Sequence, residues 1–188
     1  MLEIICSGFG GQGVLTAGLI LADAGMENGK YVTWYPSYGS EMRGGTANRN
    51  VKLSDEEIAS PYCGKTSLDI LLALNRAAAD KFENTLRPGG LMLLNSSLVP
   101  ADRPCREDIR VIRVPANEIA AEEKNAQGVN LVMLGAMAAA SAAFDAEQLC
   151  RDVNHYFYKK KKKMFPQNEA CFRRGMQIGA EAGKEGEP

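Results

Sequence analysis

The sequence predicts an α/β fold: a single doubly wound, mostly parallel sheet with helices on both faces, Rossmann-like in its opening unit. Three observations carry that expectation. Short apolar runs alternate with segments of helical period through the first two thirds of the chain, the pattern of parallel strands joined by crossover helices. The first apolar run ends directly in glycines, and a helical pattern starts immediately after them, as in an open α/β sheet. The chain has 188 residues, 45% hydrophobic and 24% charged, the size and composition of one domain with one substantial core. Residues 1–188 are therefore assigned to one domain, with 183–188 expected to be a mobile tail.

The elements follow in order. Residues 2–7 (LEIICS) read as a strand, and from Val14 the residues Val14, Ala17, Gly18, Leu21 and Ala24 share one helix face. Gly29 ends that helix, and residues 31–35 (YVTWY), β-branched and aromatic, read as a second strand, so the first unit is βαβ. Residues 36–46 are dense in turn formers and read as a loop, followed by a short polar-rich strand marked by Val51 and Leu53. Residues 69–74 (DILLAL) are a buried strand, and Asn75 is placed to cap a helix carrying Ala78, Phe82 and Leu86, closed by Arg87-Pro-Gly-Gly. Residues 91–94 and 111–114 are two further strands. Helices are expected over 117–123, over the Ala-rich 130–143, and from Asp145, where Asp145 with Gln148 resembles a capping box and Phe144 with Leu149 a hydrophobic staple. Pro166 breaks the run, and a last helix carries Phe172, Met176 and Ile178.

Composition excludes several classes. Lys plus Arg (22) balances Asp plus Glu (23), so no global field draws the chain to nucleic acid or to a membrane surface. The longest apolar stretch, residues 129–144, is shorter than the roughly 20 residues a membrane span needs. The opening Met-Leu-Glu-Ile lacks the basic start of a secretory signal, and a cytoplasmic location is expected. Cys6, Cys63, Cys105, Cys150 and Cys171 are scattered without C-x-x-C spacing, so free thiols are expected and neither a disulfide framework nor a metal site.

Two loops carry the chemistry. Gly8-Phe9-Gly10-Gly11-Gln12-Gly13 satisfies G-x-G-x-x-G between a strand and a helix. Glycines let backbone approach a ligand closely, and the helix start favours an anion. A dinucleotide site also demands an acidic residue at the end of the second strand; the chain there reads Trp34-Tyr35-Pro36-Ser37, which argues against ordinary NAD or FAD binding. No Gly-Lys-Ser/Thr follows, as a P-loop would require. The second loop places Tyr38, Glu41 and Arg43 beside Gly39, Gly44 and Gly45. It is either a local Glu41 to Arg43 ion pair among turn glycines, or a surface for an anionic cofactor or partner subunit with Arg43 as the fork-shaped donor. In a doubly wound sheet both loops leave the carboxyl edge and should be neighbours.

Together these loops, with Leu53-Ser54-Asp55, Ile58-Ala59-Ser60-Pro61, Asn95-Ser96-Ser97, the stretch from Asn130 to Gly135-Ala136, and Asn168-x-x-x-Phe172-x-x-Gly175, resemble the gamma subunit of 2-oxoacid:ferredoxin oxidoreductases. The resemblance covers nearly the whole chain. It implies a subunit of a complex that oxidatively decarboxylates a 2-oxoacid on thiamine diphosphate, with magnesium, iron–sulfur clusters and coenzyme A, and passes electrons to ferredoxin. Alpha, beta and ferredoxin-like delta subunits would be its partners. No cofactor would be bound by this chain alone, which would carry no catalytic residue and be inactive in isolation. The motifs do not separate pyruvate, 2-oxoisovalerate, 2-oxoglutarate and indolepyruvate enzymes; 2-oxoglutarate is preferred on resemblance alone. Gly8, Gly10, Gly11, Gln12 and Gly13 would contact an anion or coenzyme A, and Tyr38, Glu41, Arg43, Gly44 and Gly45 would face the catalytic subunits. Two other classes remain open: a stand-alone nucleotide-binding oxidoreductase, and a non-enzymatic homo-oligomeric scaffold. The isolated chain could form a homodimer through surfaces its partners cover.

Other features read as structural. His155, the one histidine, falls on a helix far along the chain from both loops, and Lys159 to Lys163 form a solvated helix end, with an acidic partner as the alternative. Tyr156, Phe157 and Tyr158 are expected to anchor that helix in the core. The small side chains of residues 133–143 permit close helix approach. Trp34 and Tyr35 are expected to pack.

Overall fold

The computed structural model describes residues 1–38, 46–158 and 165–184. Six strands form one sheet: β1 (Leu2–Phe9), β2 (Tyr31–Tyr38), β3 (Thr46–Ser54), β4 (Leu68–Ala73), β5 (Leu86–Asn95) and β6 (Arg110–Val114). The helices are α1 (Val14–Glu27), α2 (Arg76–Phe82), α3 (Ala116–Glu122), α4 (Val129–Ala140), α5 (Ala146–Tyr158) and α6 (Phe165–Lys184). Strand order is β2-β3-β1-β4-β5-β6. β1, β4, β5 and β6 are parallel, and β3 is antiparallel to both neighbours, so five strands run one way and β3 alone is reversed.

The reversed β3 corrects the βαβ expectation. β2 does not lie against β1; it pairs antiparallel with β3, which inserts between them. β2 also extends through Pro36 to Tyr38, three residues into the segment expected to be loop. It is an edge strand, where a missing N–H can face away from the ladder.

Period-two burial follows from the sheet being covered on both faces. Ile4 and Cys6 of β1, Ile70 and Leu72 of β4, and Leu91 and Leu93 of β5 join one core with α1, α3, α4, α5 and α6. Ile5, Leu71, Met92 and Leu94 face the other way, against Ala78 and Ala79 of α2 and against Val99 and Ile109 of the chain between β5 and β6. Beyond α2 a 3-10 turn leads to Leu86, which opens β5 rather than closing the helix. Arg87-Pro-Gly-Gly sits inside β5 as an irregularity: Leu68 pairs with Leu86, and Ile70 with Leu91.

The capping signals are partly met. Asn75 Oδ1 accepts the Ala78 N–H at 2.9 Å, and Asp145 Oδ1 accepts that of Gln148 at 2.9 Å. The Gln148 side chain does not return to the cap; its Nε2 donates to Asp152 at 2.7 Å instead. α4 and α6 cross at backbone contact. A Cβ on Gly135 would stand 2.0 Å from the Phe172 carbonyl oxygen, and one on Gly175 2.0 Å from that of Val132, so the small-residue stripe buries itself within the fold. α6 runs through Lys184, which makes the first two residues of the expected tail helical. Tyr156 and Phe157 pack on the core while Tyr158 is exposed. The five-lysine run lies outside the described residues. No helix among the described residues is long and apolar enough to cross a membrane.

Candidate functional site

The glycine turn leaves the carboxyl end of β1 and opens α1, as its pattern requires. Gly13 is the residue before the helix, with φ 78° and no side-chain cap; that backbone conformation favours glycine. The turn is braced from inside by Gln12. Its Oε1 accepts the Phe9 N–H at 2.6 Å and the Asn75 Nδ2 at 2.9 Å, and its Nε2 donates to the Leu74 carbonyl at 3.4 Å. Asn95 Nδ2 donates to the same carbonyl at 3.1 Å and to Asn117 Oδ1 at 2.9 Å. A row of neutral amides thus runs along the carboxyl edge from β1 past β4 and β5 to the helix following β6. Asn75, Asn95 and Asn117 were no part of the sequence-derived site, apart from Asn95 as a motif residue. Their signal is positional: Asn75 and Asn95 stand at strand ends that share one edge.

On the other side of the turn, Asn130 Nδ2 donates to the Gly13 carbonyl at 3.2 Å. Asn168, from the start of α6, accepts from Asn125 Nδ2 at 2.8 Å. Asn125, Asn130 and Asn168 are all nine-tenths or more buried. With Gly10, Gly11, Gly13, the first turn of α1, Arg49 and Phe157 they line one cavity of about 520 Å³. Three separate motifs, the glycine turn, Asn130 and Asn168, converge there although they are spread along the whole chain.

Arg49 is the functional candidate that sequence reasoning missed. It is completely buried, donates to the Asn48 carbonyl at 2.6 Å, and lies 5.6 Å from the Trp34 ring centroid. Gly18 of α1 makes the room: a Cβ there would stand 2.9 Å from the Arg49 Cβ. The signal was available in the period of β3. Val51 and Leu53 face the α1 side, so two residues earlier Arg49 must face the same way. Cys6 lies opposite Arg49 across the β1–β3 ladder. Burial pushes its thiol up to about 12, with the Arg49 charge pulling weakly the other way.

Of the second loop, Tyr38 closes β2, and Glu41, Arg43, Gly44 and Gly45 lie outside the described residues. The strand register nevertheless relates the two loops' ends. Tyr38 pairs with Ala47, and Ala47 pairs with Gly8. The insertion of β3 also puts the end of β2 one strand further from β1, about 4.8 Å, than a dinucleotide site requires. His155 is half exposed, 3.7 Å from Glu27, and is not one of the residues lining the cavity. All five cysteines are free, with Cys6, Cys150 and Cys171 buried and Cys63 and Cys105 half-buried.

The comparisons with known proteins agree with one another. The family model described as pyruvate ferredoxin/flavodoxin oxidoreductase matches residues 3–178. The chain belongs to that family. It is 40% identical over 137 residues to the 2-oxoglutarate synthase subunit KorC of Methanocaldococcus jannaschii, covering 72% of each chain. It is 38% identical over 167 residues to the ketoisovalerate oxidoreductase subunit VorA of Methanothermobacter marburgensis, covering 89% of this chain. The chain spans about a third (34%) of that subunit's length. Its fold matches the keto/oxoacid ferredoxin oxidoreductase gamma subunit of Geobacter sulfurreducens with a TM-score of 0.79 and 29% identity, covering 96% of this chain and 99% of the other.

In this pyruvate ferredoxin/flavodoxin oxidoreductase family member the cavity has a definite chemical character. Among the described residues that line it, Arg49 is the one charged side chain. The start of α1 adds N–H groups without intrahelical partners, and the buried asparagines add amides that both donate and accept. Positive potential with neutral hydrogen-bonding walls suits an anionic group such as a phosphate, and the described lining residues include no carboxylate, histidine or other acid or base for bond breaking.

Proposed function

We propose that this chain is the gamma subunit of a multisubunit 2-oxoacid:ferredoxin oxidoreductase, formed by residues 1–188 as one domain. Its partners are alpha, beta and ferredoxin-like delta subunits in the cytoplasm. The complex converts a 2-oxoacid, coenzyme A and two oxidised ferredoxins into acyl-CoA, carbon dioxide, two reduced ferredoxins and a proton. 2-Oxoglutarate is the proposed substrate. Thiamine diphosphate with magnesium, and iron–sulfur clusters, supply the decarboxylation and electron transfer on the partner subunits. The gamma chain supplies binding and orientation. Membership of the family carries this reading, and the convergence of the glycine turn, Asn130 and Asn168 on one cavity supports it.

Within that role the residues have distinct tasks. Gly10, Gly11 and Gly13 let the backbone N–H groups at the start of α1 approach a coenzyme A phosphate. Arg49 sets the positive potential of the cavity, and Gln12 with Gly8 holds the turn in shape. Tyr38, Glu41, Arg43, Gly44 and Gly45 form the face turned to the catalytic subunits.

The test is anaerobic purification of the tagged chain from its native host, mass spectrometry of what accompanies it, and coenzyme A-dependent viologen reduction with each of several 2-oxoacids. Copurified thiamine-dependent subunits with highest activity on 2-oxoglutarate are expected. A chain recovered alone and inactive overturns the complex; activity restricted to another 2-oxoacid overturns the substrate. In the intact complex, Arg43→Ala should weaken assembly or raise KM for coenzyme A, and unchanged assembly and kinetics would remove Arg43 from the partner face.

A further inference from the structure

A second cavity, of about 330 Å³, lies at the amino edge of the sheet, the opposite edge from the glycine turn. It is bounded by the starts of β1 and α5 and the ends of α1 and β3. Its floor is apolar: Leu53 and Leu149 are buried, and Phe144 packs on the same core.

One charged group lies within it. Asp152 is 9% exposed, and its Oδ1 accepts a hydrogen bond from Gln148 Nε2 at 2.7 Å, a neutral donor. Gln148 is itself held, because its backbone N–H is bound by Asp145. Among the described residues Asp152 joins no ion pair; at the rim Lys30 is engaged by Asp55 at 2.5 Å, and the Met1 amino group also acts on Asp55. A carboxylate withdrawn from water without a counter-charge is costly, and a cation entering the cavity would relieve that cost. A metal ion does not fit the surroundings. No group of three or more His, Cys, Asp or Glu among the described residues could hold one, and the floor beside Asp152 offers carbon rather than oxygen ligands. The suited charge is one carried on an apolar body.

We infer that this cavity binds a small organic ammonium ion, its head paired with Asp152 beside Gln148 and its apolar body resting on Leu53, Phe144 and Leu149. The volume lies at the lower end of the roughly 300–1,000 Å³ of small-molecule sites, so the ligand is about the size of an aralkyl amine. Asp145 at the rim, in no ion pair among the described residues, adds negative potential that favours a cation over the anionic 2-oxoacid and coenzyme A. The site is therefore separate from the proposed reaction and does not rest on it.

The test uses the full chain, phenethylamine as probe and 3-phenylpropionate as the anion of matching shape, with calorimetric titration and ligand-detected NMR. Phenethylamine should bind saturably and 3-phenylpropionate should not. Asp152→Asn should weaken phenethylamine binding by roughly tenfold or more, the weight of a hydrogen bond to a charged group. Ala143→Trp, at the exposed rim, should block entry with the fold intact, and it carries the test if the Asp152 variant folds poorly. Equal binding of the two probes, no saturable binding of either, or phenethylamine binding unaltered in the folded variants overturns the inference.

Discussion

Asn130 donates its side-chain amide to the carbonyl oxygen of Gly13 at 3.2 Å, joining two residues 117 positions apart. The same carbonyl accepts the Ala17 N–H at 2.9 Å and so begins α1. The first turn of α4 thereby fixes the angle at which α1 leaves the glycine turn, and with it the mouth of the larger cavity. The space a side chain on Gly13 would need is already filled: a Cβ there would lie 2.7 Å from the Asn130 Cγ.

Gly13→Ala should therefore destabilise the chain by about 1–3 kcal/mol through positive-φ strain and the clash with Asn130. Asn130→Ala should cost about 1 kcal/mol for the lost hydrogen bond. The double variant should cost less than the sum, because removing Asn130 removes the clash. Urea unfolding of all three checks this, and strict additivity would uncouple the two residues.

Arg49 separates charge from shape. In the intact complex, Arg49→Lys keeps the positive charge but loses the planar group beside Trp34, whereas Arg49→Met loses the charge and keeps much of the volume. If Arg49 sets the cavity potential, the Met variant should raise KM for coenzyme A by about tenfold with kcat little changed, and the Lys variant should be milder. Steady-state kinetics at fixed ionic strength distinguishes this from a packing role, which would lower stability in both without moving KM.

The α4–α6 crossing depends on glycine as empty space. Gly135→Ala or Gly175→Ala would drive a Cβ into a carbonyl oxygen of the facing helix, where backbone cannot rotate away. Each should cost about 1–3 kcal/mol or more, visible as a lowered denaturation midpoint. A variant as stable as the parent would mean that the helices do not cross this closely.

Glu3 and Lys52 form a buried ion pair at 2.9 Å, each side chain 6% exposed, with Ser67 and the Gly64 N–H also on the Glu3 carboxylate. Glu3→Gln should cost about 3–5 kcal/mol, because Lys52 is left buried without its partner. The double variant Glu3→Leu with Lys52→Met should recover most of that loss, and thermal unfolding would show both.

The thiols should differ in reactivity. Cys63 is half-buried, yet burial, and then the Glu3 charge, push its thiol up to about 12. A raised pKa depletes the thiolate below it, so at pH 8 only about one part in ten thousand is ionised. Cys6, Cys150 and Cys171 are buried as well as raised. Alkylation of the native chain near pH 8, followed by peptide mass spectrometry, should label Cys105 first. Faster labelling of Cys63 would contradict its placement against Glu3.

Local physics made much of the fold legible. The apolar runs at 2–7, 69–74 and 91–94 are strands because neither period nor length suits a helix, and Asn75 and Asp145 cap helices because their side chains reach an N–H three residues on. The glycine turn was readable as well, since a strand, a turn and a helix in that order need backbone freedom at those positions. Family resemblance was legible for the same reason: its motifs are strings of neighbours.

What the tertiary structure alone decided is who lies beside whom. Period two says which face of β3 each residue takes, but not that β3 would reverse and insert between β1 and β2, because ladder partners are chosen across the sheet and not along the chain. Hence Arg49, an ordinary arginine in a polar strand, ended up wholly buried against Trp34 and the glycine-turn cavity. Asn130 and Asn168 were recognisable as motif residues, yet their convergence on Gly13 and Asn125 required α4 and α6 to close on each other through Gly135 and Gly175. The sequence by itself determined the elements and their caps, which depend on contacts a few residues apart; the site arose where packing joined residues more than a hundred positions apart.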